Sequence, residues 1–345
     1  MRYSNVFING IGYELPPNVV TSEDLEARLA ALYDKFHFKP GQLEAMTGIY
    51  ERRFWDPGYR VSDGSVAAGR KAIAASGIDP REIGMLIYGG VCRDNLEPAT
   101  ACAVCDGLGL PPSAQVFDVS NACLGVINGM VLVANAISMG QIRAGMITSC
   151  ETARDVVDLT VNRVLSAGDM ETFKACIATL TGGSGAVAVV MADERLGAAG
   201  HRLVGGVARH ASAFHRLCLW GPDAGCPVDG QHVMRTDAVG VLKNGVVLGG
   251  ETYRDFQREL GWTEIPDRII CHQVGASHQK TILETLGIPP ERDFTTFPYL
   301  GNIGTVSLPI TAAIAEEREF LRPGHRVGFF GIGSGLNCLM LGIDW

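Results

Sequence analysis

Apolar and polar positions along the chain fall into two kinds of run that alternate. Short, nearly continuous apolar stretches read as strands: Val6–Leu15, Met85–Cys92, Gln115–Val119, Met146–Cys150, Ala186–Met191, Leu203–His210, Arg268–Cys271, Val327–Phe330 and Leu336–Ile343. Longer stretches with helical spacing separate them: Glu23–Phe36, Ser65–Ser76, Ala99–Leu108, Cys123–Met139, Ala238–Leu260, His278–Leu286 and Leu308–Leu321. Thr21 or Ser22 opens the first helix, with acidic residues in its first turn. Alternation of this kind predicts a layered α/β fold.

Ala122–Met139 is the longest apolar run, and a membrane span is one reading of it. It contains Asn128, Asn135 and several glycines, is short for a span and has no basic flank, so a helix buried on all sides fits better. The two halves of the chain also echo each other. In the first, an apolar strand (Gln115–Val119) runs into a buried helix near Cys123; in the second, Arg268–Cys271 runs into His272 and another helix. Each half then closes with a glycine-rich turn and an apolar strand, at 181–185 and at 331–335. A duplicated architecture is expected, each half placing a reactive residue at a strand-to-helix junction.

Composition narrows the function. The net charge is −8 and no basic block or stripe is present, which argues against nucleic-acid binding. The 43 glycines fit tight turns and close backbone approaches. The N-terminus lacks a long apolar segment and reads as a strand of the mature protein. Most of the ten cysteines lie in apolar runs, which suits reduced thiols in the cytoplasm rather than a disulfide framework. Cys102 and Cys105 form one C-x-x-C, but no second pair or His cluster accompanies it; two small residues on one face of a buried helix is the better reading, and no metal or cofactor is called for.

Four features remain: Asn121-Ala-Cys123, Cys271-His-Gln273, Gly301-Asn-Ile-Gly304 and Gly331-Ile-Gly-Ser-Gly335. Each alone is ordinary: a buried Cys is usually a small hydrophobe, a His after a strand is usually structural, and the last turn leads into a strand and lacks the Lys of a phosphate loop. Together, in this order and spacing, and with Arg93–Thr100 and Phe117–Cys123, they make the whole chain resemble the thiolase-fold condensing enzymes of the ketoacyl synthase III group. Within that group it is most similar to the acyl-CoA-condensing enzymes of olefinic hydrocarbon biosynthesis. The resemblance implies an αβαβα thiolase fold of two pseudo-duplicated halves, 1–180 carrying the nucleophile and 181–345 carrying His and Asn. It implies acyl transfer through Cys123, with His272 and Asn302 as oxyanion donors and the backbone N–H groups of Cys123 and Ser334 as a second oxyanion hole. A position at the start of the buried helix is expected to favour the Cys123 thiolate.

Glu97 separates subclasses. Decarboxylation of a malonyl thioester needs no strong base, whereas removing an α-proton from an unactivated acyl thioester does. In the olefin-branch enzymes a Glu in Leu-Glu-Pro serves the partner subunit of a homodimer, and here Leu96-Glu97-Pro98 matches. Without the resemblance, Glu97 reads as a solvated residue beside Pro98. The synthase III group carries an Arg soon after its His for docking an acyl carrier protein; this chain has His272-Gln-Val-Gly-Ala-Ser277, which favours acyl-CoA over a carrier protein. His278 reads as a helix-surface residue. Phe117, Met130, Trp220 and Trp262 could line a tunnel, though plain core is the commoner role. The alternatives are a decarboxylating ketoacyl synthase III, a Cys-His-Asn thioester hydrolase and an inactive partner subunit.

Overall fold

The computed structural model describes residues 1–221 and 233–345. Its strands are β1 (Val6–Glu14), β2 (Asn18–Thr21), β3 (Glu51–Phe54), β4 (Ile83–Tyr88), β5 (Gln115–Asp118), β6 (Ala144–Glu151), β7 (Gly185–Asp193), β8 (His201–His210), β9 (Cys218–Gly221), β10 (Val233–Thr236), β11 (Arg268–Cys271), β12 (Arg326–Gly333) and β13 (Asn337–Asp344). Its helices are α1 (Ser22–Arg28), α2 (Ala30–Phe36), α3 (Gln42–Thr47), α4 (Val61–Ser76), α5 (Thr100–Leu108), α6 (Gly125–Ser138), α7 (Arg154–Ala167), α8 (Met170–Leu180), α9 (Glu194–Gly197), α10 (Ala238–Leu260), α11 (Ala276–Leu286), α12 (Phe297–Leu300) and α13 (Ser307–Glu317).

Nine strands form one sheet in the order β11-β12-β13-β8-β1-β7-β6-β4-β5. The order contains a repeat. β4 runs parallel to β6, β6 antiparallel to β7 and β7 antiparallel to β1; in the same senses β11 pairs β12, β12 pairs β13 and β13 pairs β8. The halves join where Phe7 faces Arg202 and Ile8 faces His201. β5 extends the first half beside β4, and at the matching place in the second half a single bridge joins Ile269 to Asp293. In this repeat β7 closes the first set of strands as β13 closes the second.

Helices α6 and α13 lie between the two halves of the sheet. Ile127 and Val133 of α6 and Ile310 and Ile314 of α13 share one core with Ile87 and Val189 on one side and Phe329 and Leu341 on the other. Ala68, Ala72 and Val104 of α4 and α5 cover the outer face of the first half, and Leu248, Phe256 and Leu283 of α10 and α11 cover that of the second. The result is the αβαβα stack. It explains the continuous apolar strands: in β7, Val187, Val189 and Met191 face the central layer while Ala186, Ala188, Val190 and Ala192 face α4, so both faces are dry. Among the described residues no helix is long and apolar enough to cross a membrane.

Several elements escape the sequence pattern. The first predicted helix breaks at Leu29 into α1 and α2, and α13 stops at Glu317, short of the predicted Leu321. α7 is rich in β-branched residues, which lowers its intrinsic helicity, yet Val156, Val157, Thr160, Val161 and Val164 pack as one face. Cys102 is exposed and Cys105 half-buried on α5, so only Cys105 meets the core as expected for the pair.

The two inner layers touch backbone to backbone where α6 begins. A Cβ on Gly125 would lie 1.8 Å from the carbonyl oxygen of Gly89. Gly125→Ala should therefore destabilise the fold by about 2 kcal/mol or more, as overpacking against an immovable backbone does. Urea denaturation should show a lower midpoint with an unchanged slope; an unchanged midpoint would mean the layers separate freely.

Candidate active site

Three turns from both halves converge at one end of α6. Cys123 lies in a 3₁₀ turn, Ala122–Leu124, between β5 and α6, so it precedes the α-helix proper by part of a turn. Ala122 just before it has φ 46°, a left-handed conformation that costs energy in a residue with a Cβ and marks a constrained turn. In the second half Leu336, after the glycine-rich turn, has φ 41°. That turn passes close to Cys123: a Cβ on Gly333 would stand 3.4 Å from the Cys123 nitrogen. Asn337 Nδ2 ties the two turns together, donating to Asn121 Oδ1 at 3.1 Å and to the Ser334 carbonyl at 3.3 Å. The Val126 N–H donates to Thr305 Oγ1 at 2.9 Å and fastens α6 to the third turn.

His272 follows β11, and its backbone N–H donates to the Phe330 carbonyl at 2.9 Å. Its side chain is buried, at 5% exposure. Gln273 beside it is structural: its amide joins the Phe294 carbonyl and the N–H groups of Thr296 and Phe297. Asn302 is held by its backbone to Thr181 and Gly183, and its Oδ1 accepts from the Gly304 N–H at 3.1 Å. With Oδ1 so engaged, the side-chain NH2 is the group left to donate into the cleft.

Cys123, Asn302 and Ser334 all line a cleft of two lobes. One, about 100 Å³, adds His272, His278, Val274, Phe214 and Leu217. The other, about 400 Å³, adds Glu151, Thr152, Val156, Trp220 and Ile303. Trp220 thus lines the cleft, whereas Met130 and Trp262 are core and Phe117 packs against it. Glu97 does not reach its own chain's cleft: it is exposed on the β4–α5 loop, and Leu96 next to it is 95% exposed. The larger lobe leads, through Val91, Thr152, Val156 and Trp220, to a groove of about 910 Å³ bordered by Arg93, Asn95 and Leu96. Among the described residues no group of His, Cys, Asp and Glu could hold a metal ion.

Burial sets the electrostatics. The Cys123 thiol is pushed up to about 12, first by burial and then by Cys218 and Glu151, while the backbone N–H groups of Cys123 and Ser334 point at the sulfur and pull it down. Burial thus favours the neutral thiol of Cys123, opposing the pull of the helix end and of the backbone N–H groups toward thiolate. His272 falls to about 3 through burial and the neighbouring His278, and His278 falls to about 4 through burial. Neither Nδ1 has a hydrogen-bond partner. His278, expected at the helix surface, instead turns from the first turn of α11 into the cleft. Sequence reasoning missed Glu151 too. Its carboxyl rises to about 6 through burial, held back by the N–H groups of Val91 and Cys92. The signal was present: Glu151 closes a strand in which every residue is buried.

A duplicated αβαβα fold with a cysteine presented between the turns of both halves defines a thiolase-fold condensing enzyme, an acyltransferase. Comparisons agree. Residues 258–345 match the family 3-oxoacyl-[acyl-carrier-protein (ACP)] synthase III C terminal. An acyl-CoA:acyl-CoA alkyltransferase of Shewanella oneidensis is 52% identical, and one of Xanthomonas campestris 37% identical, each over 100% of both chains. A crystal structure of Xanthomonas campestris OleA matches with a TM-score of 0.94 at 36% identity, covering 100% of this chain and 98% of that one. Another, with lauric acid and lauroyl-CoA bound to OleA, matches at 0.93 and 36%, covering 99% and 100%. The chain belongs to the acyl-CoA:acyl-CoA alkyltransferase family.

The buried imidazoles should stay neutral well into the acid range. Below about pH 6.5 the unfolded chain takes up protons that these two rings refuse, so each weakens the fold as pH falls toward its own lowered pKa. Asp293, raised to about 7 by burial, works oppositely: it holds its proton in the folded state, and its contribution is lost as pH rises toward 7. NMR of ring-labelled histidine should show His272 and His278 unprotonated at pH 5. A midpoint near 6.5 for either would mean that water fills the cleft.

Proposed function

We propose that the protein condenses two fatty acyl-CoA thioesters by a non-decarboxylating Claisen reaction, forming an acyl-Cys123 intermediate. The observation that carries this reading is the meeting of Cys123, His272 and Asn302 in one apolar, two-lobed cleft, in a chain whose Glu97 stands outside it. Two lobes meeting at the nucleophile suit two acyl groups that must touch carbon to carbon.

In the first step Cys123 attacks an acyl-CoA carbonyl. The thiol proton leaves the sulfur and ends on the departing CoA thiol, with the neutral His272 ring as the acceptor in reach. The backbone N–H groups of Cys123 and Ser334 receive the oxyanion; their aim at the sulfur supports that role. In the second step a base removes the α-proton of a second acyl-CoA, and His272 and Asn302 donate to its thioester oxygen. The carbanion attacks the acyl-Cys123 carbonyl, the Cys123 sulfur leaves and recovers the proton held by the base, and a β-ketoacyl-CoA results; water then cleaves its thioester to the β-keto acid and free CoA.

The base in this reading is Glu97 of a second copy, in a homodimer. Its exposure, the bare Leu96 beside it and the groove leading from the cleft support delivery in trans. Lauroyl-CoA bound to an OleA relative and the names of the curated relatives support acyl-CoA over carrier-protein substrates. The nine described cysteines are all free, which supports the cytoplasm as its site of action, in lipid metabolism.

Cys123→Ser should abolish condensation, and acyl-CoA should add one acyl mass to the wild-type peptide that contains Cys123. Acylation at Cys92, Cys102 or Cys218 instead would remove Cys123 from its role. Asn302→Ala should slow carbon–carbon bond formation by about 10²-fold while slowing acylation less, and His272→Ala should slow both steps, since that ring also takes the thiol proton. Glu97→Gln should still acylate on Cys123 yet fail to condense. Normal condensation of two acyl-CoAs by Glu97→Gln would remove Glu97 as the base, and activity with malonyl thioesters alone would establish a decarboxylating synthase.

A further inference from the structure

Glu151 is a buried carboxylate in the cleft that the reaction above does not use. At 5% exposure it stands at the end of β6, and its two oxygens accept from adjacent backbone groups, the Val91 N–H at 2.8 Å and the Cys92 N–H at 3.1 Å. Those residues are the root of the loop that carries Glu97. The same root is held by the Tyr88 hydroxyl, which donates to the Cys92 carbonyl, and by Cys92 Sγ against the Thr152 carbonyl at 3.4 Å. Further along, Asp94 accepts from the N–H groups of Val61 and Ser62, and Asp118 accepts from those of Thr100 and Ala101 with Arg93 at 4.0 Å. Both ends of the loop are fixed to the chain's own body, and the Leu96-Glu97-Pro98 tip is left outside.

We propose that Glu151 is a positioning residue whose target lies in the other subunit: by fixing Val91 and Cys92 it sets where Glu97 stands in the neighbouring copy's cleft. This rests on the reading of Glu97 as a base in trans. Both carboxylate oxygens are committed to the loop root, which suits positioning better than proton abstraction. A carboxylate accepts two adjacent N–H groups at once, whereas the amide of Gln sets its own NH2 against one of them. A displacement of the loop root is carried to its tip, and a misplacement of about 1 Å in a reacting group costs about 10²-fold in rate.

Tagged heterodimers, co-expressed and purified through both tags, separate the possibilities. In a dimer of Cys123→Ser with Glu151→Gln, the one intact Cys123 receives Glu97 from a chain with intact Glu151, so condensation should proceed at about half the wild-type rate. In a dimer of wild type with the double variant Cys123→Ser/Glu151→Gln, the intact Cys123 receives Glu97 from a chain without Glu151. Condensation there should fall by about 10²-fold, although that Cys123 still acylates normally by mass spectrometry. The reverse pattern would assign Glu151 to its own chain's Cys123, and equal losses or equal retention in both dimers would leave it merely structural; each overturns the proposal. A control dimer of Cys123→Ser with Glu97→Gln tests the underlying reading: if it is inactive, trans delivery of Glu97 fails, whatever Glu151 does. Should Glu151→Gln fail to fold, Glu151→Asp, one methylene too short to span both N–H groups, takes its place in the same two dimers.

Discussion

The turn that carries Cys123 and the turn that carries Ser334 meet at one cleft, and they come from opposite halves of a duplicated chain. Neither half can build this site alone. The meeting requires α6 and α13 to hold the two half-sheets at a fixed separation, which is why the central layer is packed tightly enough for glycine backbones to touch. It also requires the turns at Ala122 and Leu336 to hold left-handed conformations that side chains disfavour. The rest of the structure supports that one contact: Asn337 bridging to Asn121, Thr305 anchoring α6, and β1 joining the half-sheets.

The dryness of the cleft follows from the same packing and sets its chemistry. A thiol, two imidazoles and a carboxyl group are all pushed toward their neutral forms by lack of water. Neutral imidazole can donate from one nitrogen while accepting at the other, which an imidazolium cannot do. Water near an acyl-cysteine would hydrolyse it, so the burial that disfavours a Cys123 thiolate would also protect the proposed intermediate. The oriented N–H groups offset part of the cost of developing charge on the sulfur and then on the carbonyl oxygen.

Much of this was legible in the sequence. Strands buried on both faces read as continuous apolar runs, and the strand-to-helix junctions at Cys123 and His272 announced the repeat before any pairing was known. Other parts required the third dimension. His278 has no sequence feature that distinguishes a surface turn from one facing a cleft, because that depends on where α11 docks. The helix-end argument for a Cys123 thiolate is local, whereas burial, a tertiary property, pushes the thiol the other way. The closing role of the strand after 181–185 was legible too, and its pairing with β6 and β1 places β7 at the end of the first repeat.

The central place of β1 has a consequence for how the chain is made. β1 leaves the ribosome well before its sheet partners: it ends at Glu14, whereas β7 and β8 begin only at Gly185 and His201. At synthesis rates of about 5–20 residues per second, this apolar strand waits on the order of ten seconds or more without a partner on either edge. Pairings so distant in sequence are slow to close even after synthesis, since the loop entropy is lost before the contacts form. The strand that unites the two halves is therefore also a segment open to misassociation while the protein is born.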